Sequence, residues 1–220
     1  MAAADPVNQR RYRGMDGPER VAARRASLLE AGLQLFGTVG YNATTVKDIC
    51  HHAELGRRYF YESFTDREAL LLAIYDTHIT RTLTAVAEAL GRAAPQIEAQ
   101  SEAGLTALIH SLGSDPRVTR LVFHEIIRVG TPTTEARYRQ VRRDFGEFIL
   151  DTLTRTLDVP RTKRMRLGAT VLVGGVTELM TEWLLVDTPA DLDELIDIAR
   201  TLFDLLYQRF LHELTENDTA

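Results

Sequence analysis

The spacing of apolar residues restricts the fold of this sequence more than any other feature. Apolar side chains recur every three or four residues along most of the chain, and no alternating pattern of useful length indicates a β-strand. In the first such segment, Leu28, Leu35, Phe36 and Val39 fall on one helical stripe. Because 45% of the 220 residues are apolar, the chain can bury a sizeable core. We therefore predict an all-α fold of about nine helices.

Signals for helix starts and ends divide the chain further. Gly40 ends the first long segment, and Thr44 or Thr45 can cap a second helix. A short third helix is predicted over residues 56–64, and Thr65 to Glu68 form a capping-box pattern before a long fourth helix. Later helices are predicted to start at the prolines of three further breaks: Asp115-Pro116, Pro160 and Thr188-Pro189. One more is predicted over Thr134 to Leu157, after a break at Gly130-Thr131-Pro132. Two short helices after a longer one are typical of a helix-turn-helix in a three-helix core.

Charge is distributed unevenly along the chain. The net charge of −5 argues by itself against a nucleic-acid partner. Residues 1–67 nevertheless have a net charge of +2, while residues 68–220 have a net charge of −7. The basic residues are almost all arginine, whose guanidinium can donate bidentate hydrogen bonds to phosphate or guanine. Genomic base composition explains the high arginine content equally well. The uneven charge permits local phosphate contact by the N-terminal third.

The third helix has the two faces that a recognition helix requires. Phe60 and Phe64, four residues apart, predict a face packed against the other helices. Arg57 lies in the first turn, the end that usually approaches base edges. Arg58, Tyr59 and Glu62 are predicted to point outward, and Tyr61 to lie at the edge of that face. Glu62 would accept from cytosine or orient an arginine. The predicted DNA-binding residues on this helix and at its start are Gly56, Arg57, Arg58, Tyr59 and Tyr61.

The stretch from Arg25 to Leu72 resembles the N-terminal domain of TetR-family transcriptional regulators. The matching elements, at fixed spacing, are Ala31 with Leu35-Phe36, Gly40-Tyr41, Thr44-Thr45-Val46 with Ile49, Ala53, Phe60-Tyr61, Phe64, and Glu68 with Leu70-Leu71. The remainder of the chain is similar to the family only in length and helical character. The resemblance implies that Thr45 caps the second helix and touches phosphate, and that Tyr61 and Arg67 also reach phosphate. Lys47 completes the predicted DNA-binding set.

The sequence departs from the family pattern at several positions in this region. The family commonly has Gly where Glu54 stands, Ser at Gly56, a small residue at Arg58 and His at Ser63. Glu54 would then need a left-handed backbone, which costs about 1–2 kcal/mol. Large side chains at Arg58 and Tyr59 change what the helix reads, so the operator sequence cannot be transferred from relatives.

Other kinds of site find little support in the sequence. Cys50, His51 and His52 are consecutive, so on a helix they point about 100° apart and do not converge on one metal ion. We find no phosphate loop, nucleophile elbow or paired carboxylates, so we expect neither an enzyme nor a cofactor. The single cysteine fits a reducing cytoplasm, and Glu178 and Glu182 within the most apolar stretch predict a buried helix rather than a membrane span.

We therefore predict three regions with separate tasks. Residues 1–18 form a flexible basic arm, in which Arg10, Arg11 and Arg13 enter the minor groove or are simply solvated. Residues 22–82 form the DNA-binding domain, with its helix-turn-helix over about 45–64. Residues 83–220 form a larger helical domain for ligand sensing and dimerisation.

The function predicted from these regions is ligand-responsive repression by a homodimer on a palindromic DNA operator. The last two helices, about 161–214, are apolar on more than one side and are expected to form the dimer interface, or alternatively to close a monomer core. An unidentified small molecule would bind within residues 98–157 and shift the fourth helix. His110, His124, Glu125 and Tyr138 are candidate polar anchors there, although each is more often an ordinary surface or core residue. The alternative is a helical ligand- or partner-binding protein that has lost sequence-specific DNA recognition.

Overall fold

The computed structural model of the protein describes residues 17–185 and 191–217. These residues are helical apart from short connections, which confirms the all-α prediction. The helices are α1 (Gly17–Thr38), α2 (Val46–His52), α3 (Arg57–Ser63), α4 (Arg67–Arg92), α5 (Ile97–Gly113), α6 (Pro116–Arg120, continued by a π-helical turn at Leu121–Glu125 and by Ile126–Val129), α7 (Pro132–Leu157), α8 (Lys163–Leu185) and α9 (Leu192–Asn217). Over these two ranges, no helix is both long enough and apolar enough to cross a membrane.

The chain divides into two compact units on either side of the peptide bond between Ile74 and Tyr75. The domain division predicted between residues 82 and 83 lies farther along the same helix, α4. In the first unit, α1, α2 and α3 pack against one another. Leu28, Phe36, Ile49 and Phe60 are fully buried there, so the apolar faces of the three helices meet in one core. Val39, predicted on the first stripe, is instead 55% exposed, because α1 ends at Thr38.

The second unit is a bundle in which α5 packs on α9, and α8 packs on both α7 and α9. Glycines allow α8 and α9 to approach closely. A Cβ at Gly168 would lie 2.4 Å from Phe210 Cζ, and one at Gly175 would lie 2.6 Å from Leu202 Cδ2. Both distances are too short for real atoms, so the glycine-rich face of α8 is used inside one protomer.

Several predicted helix starts differ from those observed. Gly17 and Pro18 already belong to α1 rather than to the arm. Helix α8 begins at Lys163, not at Pro160, because Asp158 in a left-handed conformation ends α7 and the next residues form a connection. Pro132, not Thr134, is the first residue of α7, because Thr131 and Thr134 form a capping box there. Thr188-Pro189 lies outside the described residues.

The start of α4 corrects another prediction. Asp66, not Thr65, caps this helix: its Oδ1 accepts a hydrogen bond from the Ala69 amide at 2.8 Å. The Thr65 hydroxyl instead donates to the Asp66 carboxylate at 3.3 Å. An aspartate at this position satisfies a free amide and places negative charge at the positive end of the helix dipole.

Candidate DNA-binding surface and effector cavity

Thr45 and Asp48 fix the start of α2. The Asp48 amide donates to Thr45 Oγ1 at 3.2 Å, and the Thr45 amide donates to Asp48 Oδ2 at 2.9 Å. The Thr45 hydroxyl also donates to that carboxylate at 2.6 Å, and these hydrogen bonds lower the pKa of Asp48. The predicted cap is therefore confirmed. Contact of Thr45 with phosphate stays a prediction, and it would have to compete with Asp48 for the same hydroxyl.

The turn between α2 and α3 contains the left-handed residue that the resemblance to the TetR family implied. Glu54 has φ 54°, while its amide and that of Leu55 donate to the carbonyls of His51 and Cys50. These two hydrogen bonds hold the turn in this shape although a side chain is present. Glu54 therefore carries local backbone strain that a glycine would not.

Replacing Glu54 with glycine is expected to raise the free energy of unfolding by about 0.5–1 kcal/mol, since relief of strain exceeds the extra entropy of the unfolded chain. Urea denaturation followed by circular dichroism measures the change. Glu54→Ala is the matched control, because it removes the same carboxylate but keeps the Cβ. If Glu54→Gly and Glu54→Ala were equally stable, relief of backbone strain would not explain the change in stability.

Helix α3 separates its side chains as a recognition helix requires. Phe60 is fully buried and Phe64 nearly so, which confirms the inner face. Arg57 and Arg58 are exposed in the first turn, and 60% of Tyr61 is exposed. Tyr59 is 38% exposed, so it is less exposed than Tyr61, although the sequence placed Tyr59 on the outer face and Tyr61 at its edge.

Two residues outside the predicted set organise this outer face. Arg58 Nε donates to Glu62 Oε1 at 3.0 Å, so Glu62 does orient an arginine. Arg24 of α1 lies 3.8 Å from the same carboxylate, and its guanidinium sits 4.5 Å from the centre of the Tyr59 ring. Sequence analysis missed Arg24, because its partners lie on a different helix and no local spacing links them.

Arg67 is held by the loop that precedes α2. Its Nη1 donates to the Tyr41 carbonyl at 2.9 Å and also to the Thr44 carbonyl, and its guanidinium stacks on the Tyr41 ring at 4.6 Å. These contacts fix the loop to the start of α4. The predicted contact of Arg67 with phosphate stays a prediction, and a positioning role for this arginine is what the geometry supports.

The remaining predicted residues of this region lie as follows. Lys47 and Gly56 are exposed, and a side chain at Gly56 would meet no atom within 4 Å. Cys50 is buried, which raises the pKa of its thiol, whereas the neighbouring His51 and His52 are exposed. The three side chains therefore do not converge. Arg10, Arg11 and Arg13 lie outside the described residues.

The second unit contains an apolar cavity with two adjoining lobes. Lobe A and lobe B share a wall. The shared wall consists of Leu105, Leu108, Phe145, Ile149 and Leu172. Lobe A extends towards Val86, Leu90 and Gly104, and lobe B towards Tyr75, Tyr138 and Arg142.

Polar groups are few in this cavity. Lobe A has Gln100, Ser101 and Thr152, and lobe B has Thr177 besides the two tyrosines and Arg142. Burial raises the pKa of both Tyr75 and Tyr138, so both phenols are uncharged at neutral pH. The cavity therefore offers apolar contact along most of its length and directional hydrogen bonds at a few points.

Of the polar residues that the sequence marked between residues 98 and 157, only Tyr138 lines the cavity. Glu125 is buried outside it and interacts with His124 Nδ1 at 3.1 Å and Arg120 Nε at 3.5 Å. His110 lies 4.0 Å from Asp193. These groups are partnered within the protein, and the cavity residues were missed because apolar periodicity does not distinguish a filled core from a void.

Comparison with known proteins agrees with the geometry of the first unit. Residues 28–74 match the model of the bacterial regulatory proteins of the tetR family. The HTH-type transcriptional activator FasR of Mycolicibacterium smegmatis is 25% identical over 174 residues, which cover 79% of this chain and 78% of that protein. The uncharacterized HTH-type transcriptional regulator YuxN of Bacillus subtilis is 34% identical over 59 residues, 27% of this chain and 20% of that protein.

Solved structures share the fold along most of the chain. The fatty acid degradation regulator FadR from Bacillus halodurans has a TM-score of 0.72 at 17% identity, covering 86% of this chain and 95% of that one. FadR from Bacillus subtilis, solved in complex with stearoyl-CoA, has a TM-score of 0.69 at 16% identity, covering 82% and 96%. The helix-turn-helix and its matched sequence lead to one conclusion: residues 28–74 form the DNA-binding domain of a TetR-family transcriptional regulator.

Proposed function

We propose that this regulator binds a palindromic operator as a homodimer and that its effector carries a long alkyl chain, as a fatty acyl compound does. The two-lobed cavity is the main support for this class of effector, because its walls are almost entirely apolar. The Bacillus subtilis relative with the same fold was solved with stearoyl-CoA, which supports the same class of ligand. Burial of each methylene contributes about 0.8 kcal/mol, so a long chain is the ligand such walls favour.

DNA recognition is assigned to the outer face of α3. Arg57 and Arg58 lie at the exposed N-terminal end of the helix, where a guanidinium reaches guanine O6 and N7. Tyr61, farther along, is exposed and would bind phosphate and fix the register. A two-fold dimer would present two such helices to half-sites about 34 Å apart, or at a related spacing.

Exposed apolar side chains on α8 and α9 of a single protomer support dimerisation through these two helices. Leu167 and Val171 on α8 are more than half exposed, one helical turn apart. Ile198 and Leu205 on α9 are likewise exposed, two turns apart. Because the glycine face of α8 is already packed on α9, these stripes lie outside the protomer core and are available to a second copy.

Regulation would follow from a two-state equilibrium. A ligand that binds one arrangement of the dimer a few kcal/mol more tightly shifts the population towards it and changes the affinity for DNA. We predict that the DNA-bound protein represses transcription, although the Mycolicibacterium relative is an activator. A reporter fused to the operator, compared in cells with and without the gene, measures that direction.

A gel-shift titration tests the function as a whole. The protein is mixed with the promoter region nearest its own gene, at several salt concentrations, with and without palmitoyl-CoA. We expect specific, salt-sensitive binding that palmitoyl-CoA alters. Specific binding that palmitoyl-CoA leaves unchanged would reject the effector class. Absence of salt-sensitive binding, there and in a genome-wide selection of fragments, would favour a ligand-binding protein that has lost DNA recognition.

Filling lobe A is expected to shorten the chain that the protein accepts. A Cβ at Gly104 would lie 3.4 Å from Leu90 Cδ2, an ordinary contact, so Gly104→Phe extends a ring among the walls of lobe A. We expect affinity for palmitoyl-CoA to fall about 100-fold, since several methylenes lose their burial. Binding of a medium-chain acyl-CoA should be nearly unchanged, and isothermal titration calorimetry measures both.

Gly91→Phe is the control for this variant, because Gly91 is an exposed helical glycine with no atom within 4 Å of its Cβ. It makes the same change in residue type without entering the cavity. If Gly104→Phe bound both chain lengths as wild type does, lobe A would not hold the ligand tail.

A further inference from the structure

Arg142 is the charged residue of the cavity: of the described residues that line either lobe, it alone carries a formal charge. It belongs to a stripe of α7 that follows the whole cavity. The stripe consists of Tyr138, Val141, Arg142, Phe145, Ile149, Thr152 and Leu153. From Tyr138 to Leu153 the helix rises about 22 Å, the dimension of an extended long-chain acyl group. Arg142 lies near the lobe B end of that line.

The protein makes room for this guanidinium. A Cβ at Gly174 of α8 would lie only 3.3 Å from Arg142 Nη2, so the glycine leaves space for the arginine beside it. The guanidinium also lies 5.7 Å from the centre of the Tyr138 ring. Both contacts point the arginine towards the lobe B wall, where α7 faces α8.

A guanidinium beside an apolar cavity is costly unless an oxygen accepts its hydrogen bonds. None of the ion pairs found in residues 17–185 and 191–210 involves Arg142. Tyr138 is its partner in lobe B, and Glu178, which acts electrostatically on Tyr138, is exposed on the next helix. Tyr138 supplies one phenol, whereas the planar guanidinium has five donors. The arginine thus retains donors for an additional acceptor.

We propose that Arg142 binds the oxygen-bearing head of the effector, a carboxylate or a thioester carbonyl, in lobe B, while the alkyl tail runs into lobe A. This inference rests on the proposed function and adds the orientation of the ligand and its polar anchor. Tyr138 supports the guanidinium and presents its own hydroxyl to the same head group. Specificity then has two parts: chain length is read by lobe A and the head group by Arg142.

The test compares ligands that differ only at the head. Dissociation constants of palmitate, palmitoyl-CoA and 1-hexadecanol are measured by calorimetry for wild type, Arg142→Met and Arg142→Lys. The control is Arg143→Met, which removes an exposed arginine next in sequence that donates to Gln140. Methionine keeps the length of the side chain and its apolar contacts, so the variant is expected to fold, as its thermal unfolding curve will show.

In Arg142→Met we expect at least about a tenfold loss of affinity for the ligand whose oxygen is bound, because a charge-assisted hydrogen bond is lost. A loss of affinity for palmitate alone identifies a carboxylate as the bound head group. A loss of affinity for palmitoyl-CoA identifies a thioester carbonyl. Hexadecanol should change little, Arg142→Lys should retain part of the affinity, and Arg143→Met should behave as wild type.

Equal loss for all three ligands in Arg142→Met would overturn the proposal, since it would indicate damage to the cavity rather than a lost anchor. Unchanged affinity for palmitate and palmitoyl-CoA would overturn it as well. Failure of wild type to bind any of the three long-chain ligands would instead reject the effector class of the proposed function.

Discussion

The double variant Arg57→Ala, Tyr61→Phe is expected to lose about 100-fold in affinity for the operator while it unfolds at the wild-type temperature. A bidentate arginine on guanine contributes about 1–3 kcal/mol of discrimination. A tyrosine hydroxyl on phosphate adds a hydrogen bond to a charged group, about 1.5–3 kcal/mol. Both side chains are exposed, so their loss leaves no cavity in the fold. Fluorescence anisotropy on a fragment recovered by genome-wide selection measures the change.

Controls separate reading of bases from contact with phosphate. The variant Arg143→Ala, Tyr207→Phe makes the same chemical changes in the second unit and should bind DNA as wild type does. For Arg57→Ala alone, a loss confined to the operator indicates base contact. An equal loss on operator and random DNA, with the salt slope reduced by about one, indicates phosphate contact. Wild-type affinity of the double variant would show that α3 does not read DNA with this face.

Charges placed on the exposed stripe of α9 are expected to separate the dimer. Ile198 and Leu205 are 48% and 63% exposed in one protomer, and a two-fold interface would bury each of them twice. Four half-buried side chains contribute about 4 kcal/mol, and a buried glutamate adds a desolvation penalty. Ile198→Glu, Leu205→Glu should therefore raise the dimer dissociation constant at least about 1,000-fold. Sedimentation velocity across a concentration series measures it.

Ile127→Glu is the matched control, since Ile127 on α6 is 47% exposed and lies outside the proposed interface. It should remain dimeric. The separated protomers should keep their helical circular dichroism and lose most operator affinity, because each would bind a single half-site. A dimer that persists in Ile198→Glu, Leu205→Glu would place the interface elsewhere.

Residues close together in the sequence predicted those structural features that depend only on near neighbours, such as helix faces and caps. Phe60 and Phe64 lie one turn apart, so their common face followed from helix geometry alone. The cap at Thr45 is likewise decided within four residues. The left-handed Glu54 was instead predicted from the resemblance, because the TetR family commonly has glycine at this position. The start of α8 was misplaced, because Pro160 fits a first helical turn but the left-handed Asp158 before it had no clear signal.

Contacts between distant residues could not be predicted in this way. Arg67 has the expected position, yet its Nη1 is bound to carbonyls of the loop before α2. Arg24 joins the outer face of α3 through Glu62 and Tyr59, from a helix more than thirty residues earlier. Such pairs depend on how helices pack, and a single sequence does not state which side chains meet.

The sequence by itself determined the helices, the helix-turn-helix and the outward arginines of α3, because a period of 3.6 residues fixes which side chains share a face. The tertiary structure alone decided which apolar residues fill a core, which line the cavity and which stay exposed for a second copy. Periodicity marks an apolar face but does not specify what covers it. Leu105 at the cavity wall, Ile109 in the core and Leu205 at the surface occupy similar sequence patterns and differ only in their packing partners.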